Sequence, residues 1–289
     1  MLLENNNPLV SCLVLNWNRK EETDRAIDSI INQTYNNIEI VLIDNNSNDG
    51  SQEFFKDSKK IDKFLPLNKN YGCPGGRNRG IKYCDGELIF FVDNDGVLHY
   101  KAIENAVTFF NKNPETAVLT GHVVDFDDIM EVNTKMDLPE LLIQDKVIFQ
   151  GGISIHRKQN YKLVGLYPDD YIYGAEETYL SLRILDKNLI IRKSNHVILF
   201  HKKSTLARNI KKEKINVWAN SFYNAYQTYP LFFLILYFLY FHIAYSYYSL
   251  KNKFFVDFLV KMPEIYRKFY KYPRKPVKTK TFFKFQFDK

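Results

Sequence analysis

The chain has 289 residues, of which 45% are apolar and 16% aromatic, and it carries a net charge of +7. This length suits one large α/β domain, or one domain with an appendage, and the apolar fraction is that of a globular protein. The three cysteines stand in no metal-ligand spacing and are too few for a disulfide framework, which favours a reducing compartment. The N-terminal segment MLLENNNP lacks a charged stretch followed by an apolar run, so no secretory signal peptide is predicted.

Strands and helices are predicted to alternate over the first 124 residues. The strands are nearly continuous apolar runs, as expected where helices cover both faces of a sheet. The alternation therefore predicts a mostly parallel, doubly wound α/β sheet. The predicted strands span 8–15, 38–44, 62–67, 87–93 and 116–124, the predicted helices span 21–33, 51–59 and 99–112, and a glycine-rich loop is expected at 70–80.

The second half of the chain is less regular. Residues 147–157 are typical of a strand pair, or of a bend opened by a glycine pair. Apolar side chains at helical spacing predict a helix over 175–185, with two glutamates in its first turn. Residues 189–201 predict one or two further strands.

Polar residues follow three of the predicted strands. Asp93 and Asp95 come directly after the apolar run LIFFV, Asn16 follows the first strand, and Asp44 ends the second. Taken alone, the Asp-Asn-Asp-Gly run is most simply a turn, because these residue types favour turns. Open α/β sheets bind ligands outside the carboxyl ends of their strands, so the convergence of these residues favours a metal or nucleotide site.

Two common loop motifs do not fit the chain. An EF-hand requires glycine at the sixth loop position, where the two acidic loops have Asp49 and Leu98. The segment GCPGGRNRG is not the G-x-G-x-x-G fingerprint of dinucleotide-binding folds, and it follows a weak strand.

The order of the motifs is more specific than any one of them. The chain carries, in sequence, VLNWNR, IVLIDNNSNDGS, NYGCPGGRNRG, FFVDNDG, FQGG, EETYLSLR and HKKS. This set, which covers residues 8–208, resembles the family 2 glycosyltransferases of GT-A fold, most of all the rhamnosyltransferase-like branch of bacterial surface-polysaccharide enzymes. The resemblance implies an inverting, metal-dependent enzyme that moves one sugar from a UDP-, dTDP- or GDP-linked donor to a growing glycan.

The resemblance implies a nucleotide-binding half within residues 1–100. Asp44 would contact the base or ribose of the donor, helped by the loop at Asn16. Arg77 would contact the base or the diphosphate, and Asn78 would support the glycine-rich segment.

The resemblance also implies metal-binding and catalytic residues. Asp93 and Asp95 would form the DxD motif, with Asp95 the direct ligand of Mn²⁺ or Mg²⁺ and Asp93 shared between metal and nucleotide, while His201 would complete the metal site. Such a cation would neutralise the departing diphosphate. Glu177, in an acceptor and catalytic half at 101–210, would be the general base that takes the proton of the acceptor hydroxyl.

Two departures from the family pattern keep the identity of the base open. The family commonly has Asp at the position of Glu177 and a further acidic residue at the position of Tyr179. Glu176 is therefore an alternative base. The glutamate pair is also explained by the helix dipole, and His201 by a structural hydrogen bond at a strand end.

The C-terminal region, residues 211–289, is predicted to be a helical, membrane-associating appendage. Residues 231–250 are apolar and just long enough to span a bilayer, and 251–289 carry twelve Lys or Arg against three Asp or Glu. The main body has no basic groove, so we predict anionic lipid and not nucleic acid as the partner of this tail. A span would place the tail opposite the catalytic half, against the positive-inside tendency.

We therefore expect an in-plane or re-entrant helix at the cytoplasmic face of the bacterial inner membrane, near a polyprenyl-linked acceptor. The alternative is a buried helix or one that forms a homo-oligomer.

Two other functions stay open. A nucleotidyltransferase of the same fold neighbourhood would need a glycine- and lysine-rich loop after the first strand, where this chain has VLNWNRKEE. A non-catalytic, binding subunit of GT-A-like fold would not require Asp93, Asp95, Glu177 and His201 together.

Overall fold

A computed structural model describes residues 7–126, 132–202, 210–271 and 273–288. The first half contains β1 (Val10–Asn16), α1 (Lys20–Ile31), β2 (Ile38–Asp44), α2 (Ser51–Lys56), β3 (Lys63–Pro66), α3 (Gly72–Ile81), β4 (Leu88–Val92), β5 (Gly96–Leu98), α4 (Ala102–Lys112) and β6 (Thr116–Phe126). The second half contains β7 (Ile143–Lys146), β8 (Ile153–Arg157), α5 (Tyr161–Val164), α6 (Glu176–Asp186), β9 (Ile190–Lys202), α7 (Ile210–Thr228), α8 (Leu231–Lys251), α9 (Phe255–Lys271) and α10 (Thr279–Phe287).

The strands form one nine-stranded sheet in the order β3-β2-β1-β4-β8-β6-β9-β5, with β7 paired to β9. The predicted α/β class is confirmed, and β3, β2, β1 and β4 are parallel as expected. The sheet is mixed beyond β4, because β8 runs antiparallel to both β4 and β6 while β9 runs parallel to β6. Residues 190–202 form one long strand, and Gly151-Gly152 directly precedes β8.

Helices cover both faces of the sheet, which explains the continuous apolar strands. Cys12 and Val14 of β1 pack in a cluster with residues of α1, α2 and α4, whereas Leu13 between them packs on the other face. That second cluster includes residues of α3, α5, α6, α7 and α10. Because successive strand side chains point to opposite faces, a strand buried on both sides shows no polar alternation.

The glycine-rich segment is a helix and not the predicted loop, since α3 occupies Gly72–Ile81. The cause is close packing on the sheet. A Cβ at Gly76 would lie 2.5 Å from a methyl carbon of Leu15, and one at Gly80 would lie 2.6 Å from a methyl carbon of Leu13. Tertiary packing outweighs the low helix propensity of glycine here.

The last of the C-terminal helices packs against α6. Phe282 and Phe285 of α10 belong to the same apolar cluster as Leu180 of α6. Asp186, the last residue of α6, accepts a hydrogen bond of 2.7 Å from the backbone N–H of Lys278. After the last strand the chain therefore forms α7, α8 and α9, and α10 then packs back against α6.

Candidate active site

Polar side chains meet at the carboxyl ends of three neighbouring parallel strands. Asn16 of β1 is in register with Asp44 of β2, and Val14 of β1 is in register with Val92, the last residue of β4. Asp93 follows immediately, and its backbone N–H donates a 2.9 Å hydrogen bond to the carbonyl of Gly152. Parallel pairing thus brings residues far apart in sequence to one edge of the sheet.

Asp44 organises the loop that follows β2. Its carboxylate is fully buried and accepts 2.8 Å hydrogen bonds from the side chains of Asn16 and Gln52 and from the backbone N–H of Ser47. The Asn16 side-chain oxygen in turn accepts a 2.9 Å hydrogen bond from Thr23. In this structure the Asp44–Asn16 pair holds the loop after β2 to the end of β1.

Asp95 lies between Arg19 and His201. One carboxylate oxygen is paired with the guanidinium of Arg19, and the other lies 3.4 Å from Nε2 of His201. Burial opposes ionisation of Asp95, whose side chain is 9% exposed, but the hydrogen bond to His201 and the charge of Arg19 outweigh it and lower the pKa. The same hydrogen bond raises the pKa of His201 above its ordinary value. Asp95 is therefore ionised over the physiological range.

His201 is fixed from both sides by strand pairing. On β9 it is in register with Gly96 of β5 and with Asp125 of β6. Its Nδ1 lies 3.1 Å from a carboxylate oxygen of Asp125. Lys203 and Ser204, the last two residues of the HKKS segment, lie outside the described residues.

Arg77 of α3 connects the aspartates to the acidic pair. Its guanidinium lies 3.4 Å from Asp93 and 3.5 Å from Glu177, and it stacks over the ring of Phe91 at 5.7 Å. The side chain is 7% exposed, and within the described residues its Nη1 has no hydrogen-bond partner. A buried cation whose Nη1 has, among the described residues, only the 3.5 Å ion pair with Glu177 and no hydrogen bond is suited to an anionic ligand.

The two glutamates at the start of α6 differ in accessibility. Glu176 is buried, and its Oε2 has no hydrogen-bond partner among the described residues, whereas the side chain of Glu177 is 22% exposed. Burial, together with the charge of Glu176, raises the pKa of Glu177 to about 7, although Arg77 opposes the shift. A carboxylate with such a pKa can both take and release a proton near neutral pH.

A glycine pair lets the backbone approach these groups. A Cβ at Gly151 would lie 2.1 Å from Oε1 of Glu177, and one at Gly152 would lie 1.7 Å from Oδ2 of Asp93. Only glycine therefore fits between β7 and β8 at this point.

Asn78 has a supporting place one helical position after Arg77. Its side-chain amide donates to the carbonyl of Tyr167 at 2.9 Å and accepts from the N–H of the same residue at 3.1 Å. These bonds hold α3 to the segment before α6. Asn78 thus fixes the helix that carries Arg77.

The donor groups at this edge fit a divalent cation. Oδ1 of Asp95 and Nε2 of His201 are 3.4 Å apart, and two ligands of one Mg²⁺-sized ion stand about 3 Å apart. Carboxylate and imidazole are both ligands of Mn²⁺. Among the described residues no three His, Cys, Asp or Glu side chains are grouped to hold a metal ion by themselves. Metals used with phosphates commonly take only one or two protein carboxylates and complete their shell with the substrate.

Two charged contacts of this site were missed by the sequence analysis. Arg19 belongs to the quoted motif VLNWNR, but nothing local indicates that it pairs with a residue 76 positions later. Asp125 lies just beyond the predicted strand 116–124, and only the extension of β6 to Phe126 places it beside His201. For Arg19 the sequence did contain a signal: it is a basic residue near the carboxyl end of a strand that neighbours the strand ending at the aspartates.

The sequence matches the family described as Glycosyl transferase family 2 over residues 11–163. The poly(ribitol-phosphate) beta-N-acetylglucosaminyltransferase TarP of Staphylococcus aureus is 31% identical over 121 residues, 40% of this chain and 37% of TarP. The GalNAc(5)-diNAcBac-PP-undecaprenol beta-1,3-glucosyltransferase of Campylobacter jejuni is 36% identical over 95 residues, 32% of this chain and 31% of that protein. The chain thus spans about a third of the length of these two relatives.

Solved structures show the same architecture. The mannosyltransferase PcManGT of Pyrobaculum calidifontis, determined with GDP-Man and Mn²⁺, superimposes with a TM-score of 0.59 at 14% identity over 78% of this chain and 65% of that one. TarS of S. aureus superimposes with a TM-score of 0.56 at 17% identity over 75% of this chain and 39% of TarS. Since the family match alone covers more than half of its residues, the chain belongs to glycosyl transferase family 2, and its fold is GT-A.

Proposed function

We propose that the chain is an inverting, metal-dependent glycosyltransferase that adds one sugar from a nucleotide-diphosphate donor to a growing surface glycan. The observation that carries this proposal is the arrangement around Arg77, which faces Asp93 on one side and Glu177 on the other. Asp93 of the DxD motif and a partly buried carboxylate with a pKa of about 7 thus lie on either side of one guanidinium. Residues 1–210 form the catalytic domain in this proposal.

The donor diphosphate would lie between the DxD motif and Arg77. Asp95 and His201 would hold Mn²⁺ or Mg²⁺ with Asp93 beside them, and the bound cation would supply charge neutralisation for the leaving diphosphate. The guanidinium of Arg77, whose Nη2 faces Asp93, would donate to the same oxygens. The Asp44–Asn16 loop would contact the base or ribose, at the neighbouring strand ends.

Transfer would proceed by a single displacement. The acceptor hydroxyl oxygen bonds to the anomeric carbon as the bond from that carbon to the β-phosphate oxygen breaks, which inverts the configuration. The hydroxyl proton moves to Glu177, and the nucleoside diphosphate leaves with the bonding electron pair. Glu177 is the better placed of the two glutamates for this role, because Glu176 is buried beneath it.

Binding of nucleotide sugars tests this function directly. We expect one class among UDP-, dTDP- and GDP-sugars to raise the melting temperature of the full chain, and to do so more strongly with Mn²⁺ present. A ligand at a hundred times its dissociation constant adds about 2.7 kcal/mol, which corresponds to a shift on the order of 5 °C. Thermal-shift measurements with and without Mn²⁺ would show this. No shift with any of the three classes would contradict the proposal.

The finer assignment concerns the acceptor and the membrane. The relative from C. jejuni is named for an undecaprenol-linked acceptor, and an acceptor of that kind suits this chain because α8 carries a wide apolar face. Among the described residues α8 is the helix long and apolar enough, by length and composition, to cross a membrane. Its exposed large side chains are Leu231, Phe232, Ile235, Leu236, Leu239, Tyr240, Ile243, Tyr247, Tyr248 and Leu250.

The packing of the C-terminal helices supports an in-plane helix. Phe238, Phe241 and Tyr245 on the other face of α8 pack against Trp218 of α7 and Phe258 of α9. The helices before and after α8 contact each other, and α10 returns to α6, so a bilayer-spanning α8 would pull these contacts apart. We therefore place α8 in the interface of the cytoplasmic leaflet, with the basic tail on anionic headgroups.

We expect charged substitutions on the exposed face of α8 to abolish membrane binding. Leu239→Glu combined with Ile243→Glu should prevent flotation with phosphatidylglycerol-containing vesicles, because both side chains are largely exposed and the fold does not need them. Leu163→Glu, at an equally exposed apolar position on α5, is the matched control and should float like the unaltered chain. Equal flotation of all three proteins would contradict the membrane assignment. A dimer that dissociates in the double variant without any change in flotation would instead indicate a homo-oligomer contact.

A further inference from the structure

Asp125 carries a carboxylate beside the DxD site that the proposed reaction does not use. Asp125 lies on β6, directly opposite His201 of β9 in the parallel register. The pairing places its Oδ1 3.1 Å from Nδ1 of His201. The other ring nitrogen, Nε2, points to Asp95 at 3.4 Å. The imidazole is thus held between two carboxylates from two different strands.

Two strand pairings set this geometry. Gly96 of β5 pairs with His201 from the opposite side, and a Cβ at Gly96 would lie 2.7 Å from side-chain carbons of Leu199. The absence of a side chain at Gly96 therefore lets β5 approach β9 closely. The ring of His201 is 22% exposed, and the carboxylate of Asp125 is 44% exposed.

An imidazole that binds a metal through one nitrogen carries its proton on the other. A carboxylate that accepts this N–H fixes the tautomer and the ring orientation and makes the free nitrogen a better ligand. Asp125 stands where such a partner is needed, because it accepts at Nδ1 and leaves Nε2 on the side of Asp95. Without Asp125, the carboxylate of Asp95 would favour the neutral tautomer that carries its proton on Nε2, and this tautomer presents no lone pair to the site.

We propose that Asp125 is a positioning residue, which holds His201 in the Nδ1–H tautomer so that Nε2 faces the cation site shared with Asp95. This inference rests on the proposed metal-binding role of His201. Asp125 itself touches neither the donor nor the cation. Its role is to set how strongly the site binds a divalent ion.

The test measures Mn²⁺ binding to the full chain by electron paramagnetic resonance of the free ion. We expect Asp125→Ala to weaken Mn²⁺ binding roughly 10- to 100-fold, the usual range for loss of an outer-shell partner of a metal ligand. Asp125→Asn keeps an acceptor oxygen for Nδ1–H and should recover most of the affinity. Asp145→Ala is the matched control, since Asp145 is also a sheet carboxylate and binds Arg192 of β9, nine residues from His201. The control should bind Mn²⁺ like the unaltered chain.

The tautomer of His201 is a second measurement, which separates a positioning role of Asp125 from a general effect on the fold. In ¹⁵N-histidine spectra recorded with saturating Mg²⁺, His201 should show the Nδ1–H tautomer in the unaltered chain and in Asp125→Asn, and a mixture with the Nε2–H tautomer in Asp125→Ala. An unchanged tautomer in Asp125→Ala, or unchanged Mn²⁺ affinity, would overturn the inference. The variant His201→Ala distinguishes an error in the proposed metal site from an error in the proposed role of Asp125. If it leaves Mn²⁺ binding intact, the metal site itself is wrongly assigned; if it weakens binding while Asp125→Ala does not, only the role of Asp125 is wrong.

Discussion

Glu177→Gln is expected to lower the rate of sugar transfer by roughly 10²- to 10⁴-fold, which is the contribution of a positioned general base. Glutamine keeps the shape of the side chain but cannot take the proton of the acceptor hydroxyl. Donor binding should be unchanged, because Glu177 contacts Arg77 and is not itself one of the groups proposed to bind the diphosphate. The measurement is the turnover number with donor and acceptor, alongside the donor-induced thermal shift.

Glu176→Gln is the matched comparison for this variant. Glu176 is buried, and burial raises the pKa of its carboxyl group, so a neutral glutamine should be tolerated there with a much smaller loss of activity. If Glu176→Gln were the inactive protein and Glu177→Gln the active one, the assignment of the base would be reversed.

The pH dependence of kcat/KM is a second test of the role of Glu177. The base must be ionised to act, and the pKa of Glu177 lies at about 7, mainly because of burial and the nearby charge of Glu176. The specificity constant kcat/KM should therefore rise tenfold per pH unit below about 7 and level off above it. The residual activity of Glu177→Gln should lack this rise.

Asp95→Asn is expected to abolish the Mn²⁺-dependent part of donor binding. It should also reduce the rate of sugar transfer by about a hundredfold or more, because a bound cation stabilises the transition state by several kcal/mol. The substitution removes the negative charge that Arg19 and His201 both face. Titration of the donor-induced thermal shift with Mn²⁺ would measure the first effect, and turnover the second.

Asp85→Asn is a suitable control for the Asp95 variant. Asp85 is 71% exposed, lies before β4 and binds Lys63 at 2.6 Å, so its loss removes a surface ion pair of small value. It should leave both donor binding and turnover unchanged. Full transfer activity of Asp95→Asn would remove the basis for a metal-centred site at the DxD motif.

Much of the fold could be predicted from local patterns. The strand at 38–44 has the predicted bounds, because an apolar run that ends in a polar loop has few alternatives. The expected strands before Asn16 and Asp93 are also present, so the polar residues at their ends could be named in advance. The glycine-rich segment was predicted wrongly, since its helix depends on contacts with Leu13 and Leu15 that lie about sixty residues away.

The candidate site could be predicted as a set of residues but not as a set of contacts. Parallel pairing was expected to bring Asn16, Asp44 and Asp93 together, and the registers place them at one edge. The pairs Arg19–Asp95 and Asp125–His201 join residues 76 positions apart in each case. Hydrophobic periodicity in the sequence does not indicate which residues of distant strands will lie side by side.

By itself, the sequence determined the α/β class, the positions of most strands and the polar residues that end three of them, because apolar runs and turn-forming residues act over a few neighbouring residues; β5 and β7 were not predicted. Tertiary structure alone decided that Arg77 lies between Asp93 and Glu177, that glycines admit the backbone beside both carboxylates, and that Asp125 faces His201. The physical reason is that the ionisation and orientation of these groups depend on burial and on charges within a few ångströms. Such distances are set by strand register and helix packing, which form only when the whole sheet is assembled.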